Sequence, residues 1–299
     1  MPTPLLQGIV PALATPLRAG GQVIDDEGAD RLVEFLISSG VHGLFALGST
    51  GEAVLLEQAQ RLHMAELVMT RTQGRLPVYI HVGALRPAEV LELARHAARI
   101  GASGIAVLPP YYYTLDDAAL ERFFSQVAEA VTLPIYLYHI PMNAKNSIKV
   151  SLFSKLAERY PHILGMKDSG MDFGNFYDIL QAKKPHHSAM MGNDAQILAA
   201  LTLGGQGAVS AGATAVPEPY VQLWNAYHAG DMEAARKWQA VCARVKAMLV
   251  KPTPISPIKR VLELRGVCGP DVAPPLRPLS AAEADAVDRE FAAIRALLA

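Results

Sequence analysis

Eight short apolar runs, each separated from the next by a helical or turn-rich stretch, constrain this chain more than any other feature of its sequence. They are GIVPAL from Gly8, GLFALG from Gly43, PVYIHVG from Pro77, GIAVLP from Gly104, PIYLYHIP from Pro134, ILGMK from Ile163, HSAMM from His187 and GAVSAG from Gly207. None alternates polar with apolar residues, which is the pattern of strands covered on both faces in a parallel sheet wrapped by helices. The intervening segments carry helical spacing: Ala29, Leu32, Val33 and Leu36 in one, and Val90, Leu93, Ala94 and Ala97 in another, fall at i, i+3, i+4 and i+7. Pro87 opens the second and Gly101 closes it, as helix ends prefer. Three similar junctions, Gly40 to Gly43, Gly101 to Gly104 and Gly204 to Gly207, recur at whole numbers of βα units of roughly 30 residues.

Eight such units predict an α/β fold, a (β/α)8 TIM barrel over residues 1–225. An open doubly wound sheet would want a glycine-rich nucleotide loop after its first strand, and GIVPALATP has none. Strand signals stop after about residue 217, and Pro217 to His228, Met232 to Leu249, Pro254 to Leu264 and Ala281 to Leu298 read as amphipathic helices. A C-terminal helical region over 226–299 is therefore expected, capping a barrel face or forming a subunit interface.

Composition narrows the function classes. With 299 residues, 51% of them hydrophobic, the chain can bury a large core,. Its 27 basic and 28 acidic residues are nearly balanced and form no basic block, so neither a nucleic acid nor a membrane surface is an expected partner. Cys242 and Cys268 are too few for a disulfide framework, and a cytoplasmic setting is the default. The N-terminal stretch has prolines at 2, 4, 11 and 16 and no basic region, which argues against a signal peptide. The nine histidines lack metal-ligand spacing, so no metal site is expected.

In a barrel of this kind the active site sits at the C-terminal strand ends. Lys167 ends the sixth apolar run there, where partial desolvation weakens an amine's preference for the charged form and frees it to attack a carbonyl. The alternative is a lysine paired with the neighbouring Asp168. Tyr138 ends the fifth run, with Tyr136 on the same face; it is placed either to shuttle a proton or simply to pack. Gly48-Ser-Thr-Gly-Glu52 offers small residues and free amides leading into a helix, a geometry that holds a carboxylate. Tyr111-Tyr-Tyr113, behind two prolines, reads as an interface or a cleft lid.

Together GSTGE at 48–52, Y-x-x-P at Tyr138 to Pro141 and G-x-K-[DE] at Gly165 to Asp168 resemble the dihydrodipicolinate synthase/N-acetylneuraminate lyase superfamily of class I, pyruvate-dependent aldolases, over nearly the whole chain. The resemblance implies a lyase that makes or cleaves a carbon–carbon bond beside an imine between pyruvate and Lys167, with no other cofactor. It implies that Ser49 and Thr50 hold the pyruvate carboxylate, with Thr50 also in the catalytic set, and that Tyr138 shuttles protons. Tyr112 matches a tyrosine that crosses a subunit interface, Val209 a position whose backbone lines the pocket floor, and the chain would be a homotetramer. Gly192 is placed with the substrate site, and Asn143, Lys145, Asn193 and Asp194 are expected to read the aldehyde end of the substrate.

Departures from the family pattern are as informative. Synthases making dihydrodipicolinate carry an arginine where this chain has Asn143, and an arginine is hard to replace for bidentate carboxylate recognition. Sialic acid lyases carry an acidic residue and a serine where this chain has Ala195 and Ala211. The expected substrate is thus another 2-oxo acid, such as a 2-keto-3-deoxy sugar acid or the adduct of an aromatic aldehyde. A dehydratase or a 4-hydroxy-tetrahydrodipicolinate synthase on the same imine, a 2-oxo acid binding protein without turnover, and a phosphate-binding barrel are the alternatives.

Overall fold

The structure is a computed structural model that describes residues 5–250 and 253–298, so the prolines at 2 and 4 lie outside the described residues. Eight parallel strands follow the eight apolar runs: β1 Gly8–Pro11, β2 Leu44–Ala46, β3 Val78–His81, β4 Gly104–Val107, β5 Ile135–His139, β6 Ile163–Asp168, β7 Ser188–Met191 and β8 Gly207–Ser210. They hydrogen-bond in the cyclic order β1-β8-β7-β6-β5-β4-β3-β2. A parallel bridge between Ala12 and Phe45 closes the ring, reinforced by the Leu13 N–H donating to the Phe45 carbonyl at 2.9 Å. Nearly every strand residue is buried, as a sheet with side chains inside and helices outside requires.

The outer layer is α1 Asp26–Ser38, α2 Gln58–Thr72, α3 Pro87–Arg99, α4 Asp117–Ala130, α5 Val150–Arg159, α6 Phe173–Ala182, α7 Ile197–Thr202 and α8 Glu218–His228. Local chemistry fixes their starts. The Glu57 N–H donates to Gln60 Oε1 in a capping box at α2, Pro87 occupies the first turn of α3, and Asp116 Oδ1 accepts from the Ala119 N–H at α4,. Since α8 runs to His228, it spans residue 225; the further helices α9 Met232–Val250, α10 Ser256–Leu264 and α11 Ala281–Arg295 follow it. A two-stranded ribbon, Leu17–Arg18 with Val23–Ile24, was not expected from the sequence.

Inside the barrel, Leu6, Val10, Phe45, Tyr79, Tyr136, Met190 and Val209 form one buried cluster. Tyr79 and Tyr136 meet edge to face at 5.4 Å, and Tyr136 Oη accepts the Leu6 N–H at 2.9 Å, so the N-terminal end of the barrel is plugged. Gly165 is required by close approach, because a Cβ there would lie 2.0 Å from the Ser188 carbonyl oxygen. Both cysteines are buried free thiols. No helix among the described residues is long and apolar enough to cross a membrane.

Candidate active site

The register of the sheet sets Tyr138 beside Lys167 and Lys167 beside Met190. Side chains alternate along a strand, so Lys167 points into the barrel while its neighbour Asp168 points outward. Asp168 accepts from the Gly170 N–H at 2.7 Å and from Asn175 Nδ2 at 2.8 Å. Lys167 Nζ lies 4.1 Å from the centre of the Tyr138 ring and 4.5 Å from that of Phe45. It is 4% exposed, and among the described residues no carboxylate pairs with it. The Lys167–Asp168 pair that position alone allowed is not formed.

Tyr138 is 2% exposed. Burial opposes ionisation of its phenol, but the Lys167 charge and side-chain contacts from Ser49, Lys167 and Ser169 outweigh burial and hold the phenol below its ordinary value,. Gly192 leaves room for Ser169, since a Cβ there would lie 2.0 Å from Ser169 Oγ. Of the Ser49–Thr50 pair, it is Ser49 that reaches Tyr138.

The GSTGE segment is a turn and not a helix start, because α2 begins only at Gln58. Leu47 and Glu52 bracket it with positive φ of 62° and 57°, strain that persists only when surroundings over-determine it. The Gly51, Glu52 and Ala53 amides fold back onto Gly48 and Ser49; among the described residues those of Ser49 and Thr50 have no backbone acceptor. Two free amides and two hydroxyls in a turn form an anion cradle. Beneath it, Glu52 Oε1 meets Lys259 Nζ of α10 at 3.1 Å with both side chains fully buried. Lys259 also donates to the Asp271 carbonyl at 2.7 Å, and Glu52 Oε2 accepts from the Ala273 N–H at 2.6 Å. The C-terminal helices thus anchor the turn.

A cavity of about 440 Å³ opens beside this turn, with Ser49, Thr50, His81, Tyr111, Asn143, Asp194 and Lys246 in its wall; Lys167 and Tyr138 lie behind that lining and are not part of it. Asn143 stands exposed in it. Asp194 is not free to read a substrate: its Oδ2 accepts from Tyr220 Oη at 2.8 Å and the Gly212 N–H at 3.1 Å, and burial pushes its carboxyl above the usual range despite those bonds. Asn193 Oδ1 accepts from Lys246 Nζ at 2.6 Å and from the Ala195 N–H. Lys145, in a left-handed turn, and Val209, whose side chain belongs to the interior cluster, are not in the wall. Tyr112 is 69% exposed and stacks edge to face on Tyr113 at 5.0 Å, so within its own chain it is Tyr111 that reaches the cavity.

Two polar wall residues escaped sequence reasoning. His81 is hidden in the strand run PVYIHVG, and Lys246 lies on α9, past the last barrel unit. Neither carries a local motif.

A model of the dihydrodipicolinate synthetase family matches residues 5–294. The chain belongs to that family. It is an enzyme of the lyase class. A putative 2-dehydro-3-deoxy-D-gluconate aldolase, YagE of Escherichia coli, is 35% identical over 92% of both chains. A 4-hydroxy-tetrahydrodipicolinate synthase of Methanopyrus kandleri is 32% identical over 91% of both. The solved structure of YagE in complex with pyruvate covers 98% of this chain and 99% of its own, at a TM-score of 0.94 and 33% identity.

Proposed function

We propose that this family member is a class I aldolase that cleaves, or forms, the carbon–carbon bond of a 2-keto-3-deoxy sugar acid through an imine between Lys167 and the substrate's 2-oxo group. One observation carries the reading: a buried lysine at the mouth end of β6, without a carboxylate partner among the described residues, packed against a tyrosine whose phenol is held toward ionisation. Attack of the amine on the carbonyl and loss of water give an iminium, which draws the electrons of the C3–C4 bond as it breaks. The C4 hydroxyl proton passes to Tyr138, the aldehyde leaves, and the remaining enamine regains a proton at C3 before water releases pyruvate and the free amine. The electron sink is the iminium itself, so the reaction needs no added cofactor. The turn carrying Ser49 and Thr50 holds the substrate carboxylate.

Asn143 and a described cavity wall without arginine favour a neutral, hydroxylated second component over one with its own carboxylate. That separates the reading from the synthase reaction of some relatives. The exposed Tyr112–Tyr113 pair suits a contact with a second subunit, and we assign the chain to a homotetramer on that basis and on the family resemblance. The test is release of pyruvate from 2-keto-3-deoxygluconate and its pentonate analogue, followed by NMR. The expected result is stoichiometric pyruvate and aldehyde, abolished by Lys167→Ala. Loss of water without bond cleavage would replace the aldolase reading by a dehydratase.

A further inference from the structure

His81 is 2% exposed and stands in the cavity wall. Its ring lies edge-on to Tyr138, 5.7 Å between centres, and 6.4 Å from Phe45, so it belongs to the same aromatic group that packs Lys167. Its Nδ1 is 2.9 Å from the Leu47 carbonyl oxygen. A carbonyl only accepts, so Nδ1 carries the hydrogen, and in a neutral imidazole Nε2 is left with a bare lone pair. That nitrogen is buried and has no partner among the described residues. Gly83 packs closely against it without supplying a partner, since a Cβ at that position would come within 2.7 Å of Nε2.

The ring is neutral for a physical reason. Burial first, then the Arg61 charge, and lastly that of Lys167 oppose the imidazolium, and together they push His81 down to about 3 although the Leu47 contact favours the charged form,. A group so weakly basic does not abstract protons near neutral pH. It still accepts a hydrogen bond, and a buried acceptor left empty is costly enough to demand a donor.

We propose that His81 is a specificity residue whose Nε2 accepts a hydrogen bond from a hydroxyl on the aldehyde carbon next to the reacting carbonyl, selecting 2-hydroxyaldehydes over their deoxy counterparts. This rests on the aldolase reading above. Tyr138 takes the hydroxyl at the reacting carbon, and His81, its ring centre 5.7 Å from that of Tyr138, meets the next. A site that hydrogen-bonds a hydroxyl discriminates strongly against a ligand lacking it, because the buried acceptor is then left unpaired.

The experiment couples pyruvate to two pairs that differ only in the 2-hydroxyl, D-glyceraldehyde with 3-hydroxypropionaldehyde and glycolaldehyde with acetaldehyde, and compares kcat/KM within each pair. The wild type should prefer the 2-hydroxylated member of each pair roughly ten- to hundredfold. His81→Leu should collapse that ratio towards one, and His81→Gln, whose amide oxygen still accepts, should restore part of it. Because the wild-type preference is measured without any variant, a misfolded variant does not rescue the idea. Equal use of both aldehyde classes, no use of the 2-hydroxylated ones, or a preference that survives His81→Leu overturns it. Borohydride trapping of wild type with pyruvate separates the two levels: no adduct sinks the aldolase reading, whereas an adduct with no hydroxyl preference sinks only the role of His81.

Discussion

Replacing Lys259 by methionine isolates how far the C-terminal helices support the active-site turn. The side chain is fully buried, pairs with Glu52 at 3.1 Å and donates to the Asp271 carbonyl at 2.7 Å as well as to that of Thr15. Removing one partner of a buried pair costs about 3–5 kcal/mol, because the other charge stays behind uncompensated. Two carbonyls losing a donor add to this, at about 1 kcal/mol each. Against it, Glu52 keeps the Ala273 N–H at 2.6 Å and can take up a proton. A net loss of about 4 kcal/mol is expected, roughly 6 °C in Tm for a chain of this length.

The pH dependence has a defined sign. Burial holds the Glu52 carboxyl above its ordinary value, even against the Lys259 charge, and losing that charge raises it further. A carboxyl with a higher folded than unfolded pKa binds its proton more tightly when folded, so stability rises as pH falls through the folded value and is lost as pH rises. The penalty of Lys259→Met should therefore be smaller near about pH 5 than near about pH 8. Urea unfolding followed by the fluorescence of Trp224 and Trp238 measures it. A loss below about 1 kcal/mol, or a penalty that grows on acidification, refutes the reasoning.

Three further outcomes follow from the site. Tyr138→Phe should lower kcat for aldehyde release by roughly 10²- to 10³-fold, with the fold retained by circular dichroism; a loss under about tenfold contradicts a proton-carrying role. Ser49→Ala removes a contact that favours the Tyr138 phenolate, so ultraviolet titration should show the phenol ionising at higher pH, and an unmoved titration counts against Ser49 as its partner. Asp194→Ala leaves the Tyr220 hydroxyl and the Gly212 N–H without their acceptor; thermal unfolding should report a loss of about 2–4 kcal/mol while the relative kcat/KM among aldehydes stays the same.

The barrel was legible because each of its strands is an uninterrupted apolar run long enough to stand out between helical periods. Every run contains its strand except the sixth, where β6 goes one residue past ILGMK to Asp168. The ribbon at Leu17–Arg18 and Val23–Ile24 was not, since two-residue strands have no period to detect. Within the site, motifs located Lys167, Tyr138 and the GSTGE turn, but contacts distant in sequence decided what other residues do. Asp194 reads as a free acid until Tyr220 arrives from α8. His81 reads as strand interior, because nothing in PVYIHVG says that the imidazole faces a cavity with one nitrogen bare. Lys246 and Lys259 belong to helices whose sequences carry only amphipathic spacing, and their docking against the barrel mouth is a property of the closed fold.

The chemistry turns on whether the amine of Lys167 captures a ketone. Incubation with pyruvate and borohydride, followed by peptide mapping, should find one adduct, equal in mass to pyruvate less water plus two hydrogens, on the peptide containing Lys167, and none in Lys167→Arg. An adduct on another lysine, or none in the native enzyme, contradicts the account.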